Sequence, residues 1–258
     1  MIRMALHLSG YDLRAFVRNR QSRFFTLALP ILFLVIFAAL FGGRGHTVPV
    51  SGGRISTSVY YVPGIMALGV IAACFGNLVA SVTAQRERGV LKRRRATPVP
   101  AGALIAGRVL TAVAVAVVMA AVLLGIGWAA YGAHLPGRTA FALAATVVVG
   151  AASFCCMGYA LTALIRNEDS ALPITQALLL PLYFISGVFV AVTVLPHWLA
   201  NVGEIFPVRH LANALLVAYN PHTTGLGFAG ADLLIVAAWG AAGFLVALRT
   251  FSWLPRGS

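Results

Sequence analysis

The chain has 258 residues, 60% of them hydrophobic and only 10% charged, with a formal net charge of +13 and a mean hydropathy of +0.91. Soluble domains run about 45–50% apolar and about 25% charged, so a water-facing surface and a core cannot both be assembled from this material: a soluble domain is excluded and the bilayer is the expected solvent. A charge of +13 ordinarily points to nucleic acid, but a single lysine, Lys92, stands among 19 basic residues, and placing those charges along the chain gives them another meaning.

Residues Ile2 to Arg20 predict an amphipathic helix, with Ile2, Leu6, Leu13, Phe16 and Val17 near one face and Arg3, His7, Arg14 and Arg18 near another. Such a segment lies in the headgroup layer; the alternative is a solvated basic leader. Six uncharged apolar runs follow, at 24–41, 60–84, 109–131, 139–165, 171–195 and 233–248. Crossing a core about 30 Å thick takes about 20 helical residues. The first five runs qualify, and the sixth does so when it starts at Ala229, giving 229–248 with Asp232 at its mouth. The expectation is an all-α polytopic membrane protein with six transmembrane helices, forming a single transmembrane domain over 1–258. The basic leader of the first run and its 18-residue length exceed a signal-peptide pattern, so it reads as a retained span. The closing Leu254-Pro255-Arg256-Gly257-Ser258 resembles a protease-site remnant.

Threading the chain through these spans places 15 basic residues on the side of the N-terminus and 4 on the other. By the positive-inside rule both termini are cytoplasmic. The charge is therefore a statement of topology, and no nucleic-acid partner is expected. Cys74, Cys155 and Cys156 all lie inside apolar runs and read as packing residues, neither a disulfide framework nor a thiolate metal site.

The cytoplasmic segment 85–108 carries seven basic residues and one acid, Glu87. A positive-inside stop signal that pairs with anionic membrane lipids accounts for the arginines. It does not account for an isolated glutamate inside Arg-Glu-Arg-Gly, nor for the Ala-Thr-Pro-Val-Pro that follows. Arg86-Glu87-Arg88-Gly89-Val90-Leu91, then Arg95-Ala96-Thr97-Pro98, then Leu104 to Leu110 resembles the coupling loop of type-2 ABC exporter permeases. Lys92 departs from that pattern, which usually has Glu there. The resemblance implies that Arg86, Glu87, Arg88, Gly89, Lys92, Arg95, Thr97 and Pro98 dock on a separate ATP-binding subunit, with Glu87 pairing a basic residue of that subunit and Lys92 to Arg95 meeting an acidic surface.

Residues 196–228 hold apolar pieces too short to span. Non-helical backbone at membrane depth survives only when buried in protein or lining a wet cavity, which predicts re-entrant external helices broken at Pro196 and Pro207 with Trp198 at the interface. Ser186-Gly187-Val188-Phe189, Leu195-Pro196-His197-Trp198-Leu199 and Phe206-Pro207 followed by His210 and Ala214-Leu215 are similar to the C-terminal signature of the same family, closest to its drug-efflux and nodulation-factor branch. Leu216 stands where that signature usually has Arg.

Among polar residues, Glu204 reads either as an external gate acid or as an interfacial residue paired with Arg209 or His210. His197, Glu204, His210 and His222 match no metal-ligand spacing, so no metal site is assigned. Asn77, Thr175 and Gln176 sit within spans two and five and are candidates for the translocation path or for interhelical hydrogen bonds. Ala112, Ala116 and Ala120 form a small-residue stripe that permits close packing. The sequence has no Gly-x-x-x-x-Gly-Lys phosphate loop, His-Glu-x-x-His pair or Gly-x-Ser-x-Gly elbow, so no catalytic residue is assigned and ATP and Mg²⁺ belong to a partner. The resemblance implies two permease copies and two ATPase subunits in a bacterial inner membrane, exporting an amphipathic drug, antibiotic, lipid or lipid-linked glycan. An ion-coupled carrier or an intramembrane enzyme is the alternative; a carrier should show acids in mid-membrane, and all six acids lie at or beyond span ends.

Overall fold

The computed structural model describes residues 2–41, 47–95, 101–165 and 167–250. Helix α1 (Ile2–Arg18) and the short α2 (Arg20–Arg23) lead through a π-helical turn, Phe24–Ala28, into α3 (Leu29–Phe41). A hairpin of β1 (Thr47–Val50) and β2 (Gly53–Ser56) follows, antiparallel, with Val48 opposite Ile55. The fold is mostly helical, in line with the all-α expectation, which did not include this short hairpin. Val48 and Ile55 are buried, and Gly52 supplies the positive φ of +86° that the two-residue turn needs.

Ser56 caps the next helix, its side chain accepting from the Val59 amide at 3.4 Å. Helix α4 (Thr57–Ile71), a second π turn (Ala72–Gly76) and α5 (Asn77–Glu87) form one rod. Then come α6 (Val90–Arg95), α7 (Ala101–Tyr131), α8 (Ala140–Thr162), α9 (Glu168–Ile185), α10 (His197–Gly203), α11 (Pro207–Tyr219) and α12 (Gly230–Thr250).

The core is built on α4, where every residue from Tyr60 to Ile71 is buried among α3, α7, α8 and α11. Ala116 and Ala120 of the predicted stripe are buried on α7, which packs on α4. A closer approach joins α12 to α8. A Cβ on Gly240 would lie 2.6 Å from Ser153 Oγ and 2.8 Å from its Cα, and one on Gly243 would lie 2.8 Å from the Met157 amide nitrogen. Outward faces are apolar: Leu234 and Leu245 on α12 and Val118 and Trp128 on α7 are exposed, a surface suited to hydrocarbon and not to water.

Among the described residues four helices are long and apolar enough to cross a membrane: Thr57–Glu87, Ala106–Tyr131, Ala140–Thr162 and Gly230–Thr250. They correspond to the second, third, fourth and sixth expected runs. The first is a shorter apolar helix, Thr26–Phe41.

The fifth run departs furthest from expectation. Helix α9 ends at Ile185, not Leu195, because Gly187 takes a left-handed φ of +82°. Val188 and Phe189 then turn inward and are buried, with Phe189 stacked on Phe37 at 5.3 Å between ring centroids. The carbonyls freed by this break are satisfied from α4: Tyr60 donates its hydroxyl to Gly187 O at 3.2 Å and Tyr61 to Phe189 O at 3.3 Å. These residues are apolar because protein covers them.

Two other expectations shift. The segment 85–108 is mostly helical: α5 runs to Glu87, Gly89 turns the chain at φ +67°, α6 follows, and α7 begins at Ala101. On α1, Phe16 does not share the face of Leu6, Leu13 and Val17. Those three are exposed, while Leu8 and Phe16 pack against the core as α1 lies along α7. Two short helices, α10 and α11, do stand directly after Pro196 and at Pro207.

Candidate functional site

At the arginine-rich end of the bundle, the last turn of α5 delivers Arg86, Glu87 and Arg88 to the connection between α8 and α9. Arg86 is only 2% exposed. Its Nη1 donates to Thr162 O at 2.8 Å and its Nη2 to Ile165 O, placing a cation on the carbonyl end of α8, where the helix dipole is negative. The Glu87 carboxylate accepts from the backbone amide of Glu168, placing an anion on the amide end of α9. Asn167 completes that cap by accepting from the Ser170 amide at 3.1 Å. Arg88 closes the arrangement with two bonds to Glu168, at 2.7 and 3.2 Å. Three consecutive residues thus clasp the outgoing end of one helix and the incoming end of the next.

This geometry alters the reading of the coupling residues. Arg86 is turned inward and presents nothing to a docking partner, and the carboxylate of Glu87 is engaged within the chain. Arg88 and, on α6, Lys92 and Arg93 are exposed, and α6 is held by Leu91, which is 1% exposed and packs into the core. Arg95 closes α6; Thr97 and Pro98 lie outside the described residues.

At the opposite end a cavity of about 450 Å³ opens between the hairpin, α4, the turn after α9, α11 and the start of α12. Its polar wall is a network. His210 joins Asp232 at 2.6 Å through Nδ1 and the Glu204 carbonyl at 2.8 Å through Nε2. Asn213 donates to the other Asp232 oxygen at 2.7 Å, and Arg209 pairs with Glu204 at 3.2 Å. Of the two alternatives for Glu204, pairing with Arg209 is what the geometry contains. Pro207 is buried at the first turn of α11, while Pro196 and Trp198 are exposed at α10. The hairpin is tied to this wall by Asn220, whose amide donates to Ser51 O at 2.9 Å. No group of three or more His, Cys, Asp or Glu side chains able to hold a metal ion occurs among the described residues.

Between the two ends, Asn77 follows the second π turn and donates to Thr26 in the first. π turns cost regular hydrogen bonding and concentrate at functional positions; here a pair of them meets through one amide. Thr175 is buried on α9, and its hydroxyl finds no partner among the described residues. Gln176, next to it, is exposed.

The family model for the ABC-2 type transporter matches residues 6–220, a stretch that includes both the clasp and most of the cavity wall. The chain belongs to the ABC-2 type transporter family. Over 154 residues it is 26% identical to the probable multidrug ABC transporter permease YbhR of Escherichia coli (strain K12), and equally to that of Escherichia coli O157:H7. Those alignments cover 60% of this chain and 42% of each relative, so the chain spans less than half the length of the curated relatives it matches. Family membership and the four helices long and apolar enough to cross a membrane among the described residues support a membrane location.

Several positions in the two candidate sites of this ABC-2 family chain escape a reading by spacing. Glu168 partners Arg88 from 80 positions away, and Asp232 reaches His210 and Asn213 from the next helix. Arg108, near the start of α7, is 8% exposed and donates to Ser81 at 3.1 Å and to Gln85. The signal available for all three was an ionisable residue at the end of an apolar run, which marks a candidate without naming its partner.

Proposed function

We propose that this chain is the membrane-spanning subunit of an ATP-driven exporter. It works as two permease copies with two ATPase subunits in the bacterial inner membrane, both termini cytoplasmic, and moves an amphipathic drug, antibiotic, lipid or lipid-linked glycan outward. On this reading the arginine-rich end is cytoplasmic, six segments cross the bilayer with α3 and α9 as the first and fifth, and α10 and α11 are re-entrant. ATP and Mg²⁺ are held by the partner.

The clasp carries the proposal. Helix α6 presents Lys92 and Arg93 outward, and the residues just before it, Arg86 to Arg88, grip the ends of α8 and α9. A force on α6 therefore reaches three membrane helices at once through short, charge-assisted bonds. An ATPase that closed on ATP would move α6, and the clasp would convert that movement into tilting of α5, α8 and α9. Support for a second copy comes from α9, whose outward side exposes Gln176 among Leu172, Leu178 and Leu180. An amide facing lipid is unfavourable, whereas one facing a second copy or a wet path is satisfied. The polar cavity at the other end then serves as the exit vestibule.

Co-purification with candidate ABC ATPase subunits, followed by ATP-dependent uptake of a fluorescent amphipathic amine into inside-out vesicles, tests this. The paired variant Lys92→Glu, Arg93→Glu is expected to abolish both. An ATPase that co-purifies unchanged with that variant would remove α6 as the docking element; no association and no ATP dependence with the wild-type chain would remove the exporter reading itself.

A further inference from the structure

Beneath α1 at the arginine-rich end lies a second cleft, about 220 Å³, walled by α1, the rod Thr57–Glu87 and α7. Polar side chains recur along its whole length, between apolar ones such as Ala112 and Val115. Asn77, Ser81 and Gln85 stand at i, i+4 and i+8 and so share one face of the rod, and Arg108 and Thr111 line the cleft from α7. At its inner end the cleft reaches Ala73, inside the π turn Ala72–Gly76. That turn stands between the 15 residues of α4 and the 11 of α5, about 16 Å from the end of the rod at 1.5 Å per residue. Half the thickness of a hydrocarbon core is about 15 Å. The cleft therefore joins the arginine-rich end to the middle of a helix long and apolar enough to cross a membrane.

These groups do not fully satisfy one another. Arg108 is 8% exposed, and it donates from Nη1 to Ser81 Oγ at 3.1 Å and from Nη2 to Gln85 Oε1. Its Nε finds no hydrogen-bond partner among the described residues; the Asp12 carboxylate stands 3.8 Å away, beyond hydrogen-bond reach. Thr111 has one hydroxyl proton for two carbonyls, Ser9 O at 3.2 Å and Gly107 O at 3.0 Å. An asparagine amide offers two donors and an acceptor, and the bond from Asn77 to Thr26 uses one of them. Cavities that stay empty are apolar, and an acyl chain in this cleft would lie against a guanidinium and amides that it cannot bond. Water serves each of these groups as donor or acceptor, and at about 30 Å³ apiece about seven waters fill the volume.

We propose that this cleft is a water-filled crevice, entered beside Ala15 and Asn19, which are both exposed, and that it hydrates the π turn and makes it the hinge of the rod. Helices bend at π turns and where water inserts into the hydrogen-bond ladder, and here both causes meet at one place. A groove filled with water also yields when Asn77, Ser81 and Gln85 move, where a close-packed apolar groove would resist. The tilting of α5 by the clasp then turns about Ala72–Gly76. That use rests on the exporter reading, but the hydration belongs to the resting chain and is measured without an ATPase, so the two can fail separately.

In opened membrane fragments, full-length Ser81→Cys and Thr111→Cys variants are treated with trimethylammonioethyl methanethiosulfonate, a charged reagent that needs a thiolate in water. The modified residue is located by fragment mass, so the native cysteines stay in place. Both variants are expected to react at least about tenfold faster than Val118→Cys, on the exposed outward face of α7. Hydrogen exchange of the wild-type chain in the same membranes is the second readout. Amides of 73–81 should exchange at least about tenfold faster than those of 60–71, which are buried in the same rod. Ala15→Phe narrows the mouth from an exposed position and should slow both the thiol reaction and the exchange at 73–81 by about tenfold. Reaction at positions 81 and 111 no faster than at 118 would overturn the crevice. Exchange at 73–81 as slow as at 60–71 would overturn the hydrated hinge, and rates unchanged by Ala15→Phe would overturn the entry route and the proposal with it.

Discussion

Arg86 Nη1 donates to the carbonyl oxygen of Thr162 across 2.8 Å, and the same guanidinium reaches Ile165 O. A single side chain from the end of α5 therefore satisfies two carbonyls at the close of α8, carbonyls that have no partner within the helix. With 2% of the residue exposed, water does not compete for them.

Arg86→Met keeps the length of the side chain and removes its donors. Each buried carbonyl left unpaired costs about 1–3 kcal/mol, so a loss of about 2–5 kcal/mol is expected in denaturant or thermal unfolding of the detergent-solubilised chain. Arg86→Lys retains the charge and one bond and should recover about half of that. A Met variant as stable as wild type would show that the pairing adds nothing.

The neighbouring pair behaves differently. Arg88 and Glu168 also meet at 2.7 Å, but their side chains are 69% and 37% exposed. Exposed ion pairs contribute about 0–1 kcal/mol. A double-mutant cycle with Arg88→Ala and Glu168→Ala is therefore expected to give a coupling under about 1 kcal/mol. A coupling of several kcal/mol would mean that the site is drier than its exposure indicates.

How much of this was legible in the chain depends on the kind of residue. Apolar runs declared the membrane helices because hydrocarbon leaves no other way to satisfy a backbone, and Pro196 and Pro207 marked the two short helices. Val188 and Phe189 misled, since a residue buried in protein and one buried in lipid are equally apolar; only Gly187 held the clue, and glycine's positive φ is a property of the fold, not of the letter. Arg86, Glu87 and Arg88 were found as a motif, but their partners Thr162, Ile165 and Glu168 lie 76 to 81 positions away, beyond any local period. The same distance hid the link between His210 and Asp232. The hairpin, with Pro49 in one strand and a short alternation, was masked by the stronger apolar signal on both sides.

Gly240 meets Ser153 so closely that a Cβ would lie 2.6 to 2.8 Å from three of its atoms, one of them backbone Cα. Gly240→Leu must push α12 away from α8, at a cost of about 1–3 kcal/mol or more. A lower unfolding midpoint is expected, while Gly230→Leu, where nothing lies within 4 Å, should cost far less. Equal effects at the two sites would contradict the close approach.

Gly187 combines a φ of +82° with a Cβ that would come within 2.9 Å of Val192 Cγ2. Left-handed backbone costs an L-residue about 1–2 kcal/mol, and relieving it would draw the turn away from Tyr60 and Tyr61. Gly187→Val is expected to lose that cost together with the two tyrosine bonds, each about 0.5–1.5 kcal/mol. Tyr60→Phe and Tyr61→Phe in the Gly187→Val background should then add almost nothing. Fully additive losses would show that the tyrosines hold the turn independently of its conformation.

Asp232 faces two donors, His210 at 2.6 Å and Asn213 at 2.7 Å, while the other ring nitrogen of His210 faces the Glu204 carbonyl at 2.8 Å. A carbonyl only accepts, so the ring nitrogen that faces Glu204 is the donor of that contact. An amide at position 232 offers a different but complete solution. Its oxygen accepts from Asn213 and its nitrogen donates to an unprotonated Nδ1, leaving the contact with Glu204 intact. Asp232→Asn is therefore expected to cost under about 1 kcal/mol, whereas Asp232→Leu, which strands two polar groups in a half-buried wall, should cost about 2–4 kcal/mol. Unfolding of the two variants in detergent separates these outcomes: equal costs would mean that the network at the opening of the cavity is held by shape and not by its hydrogen bonds.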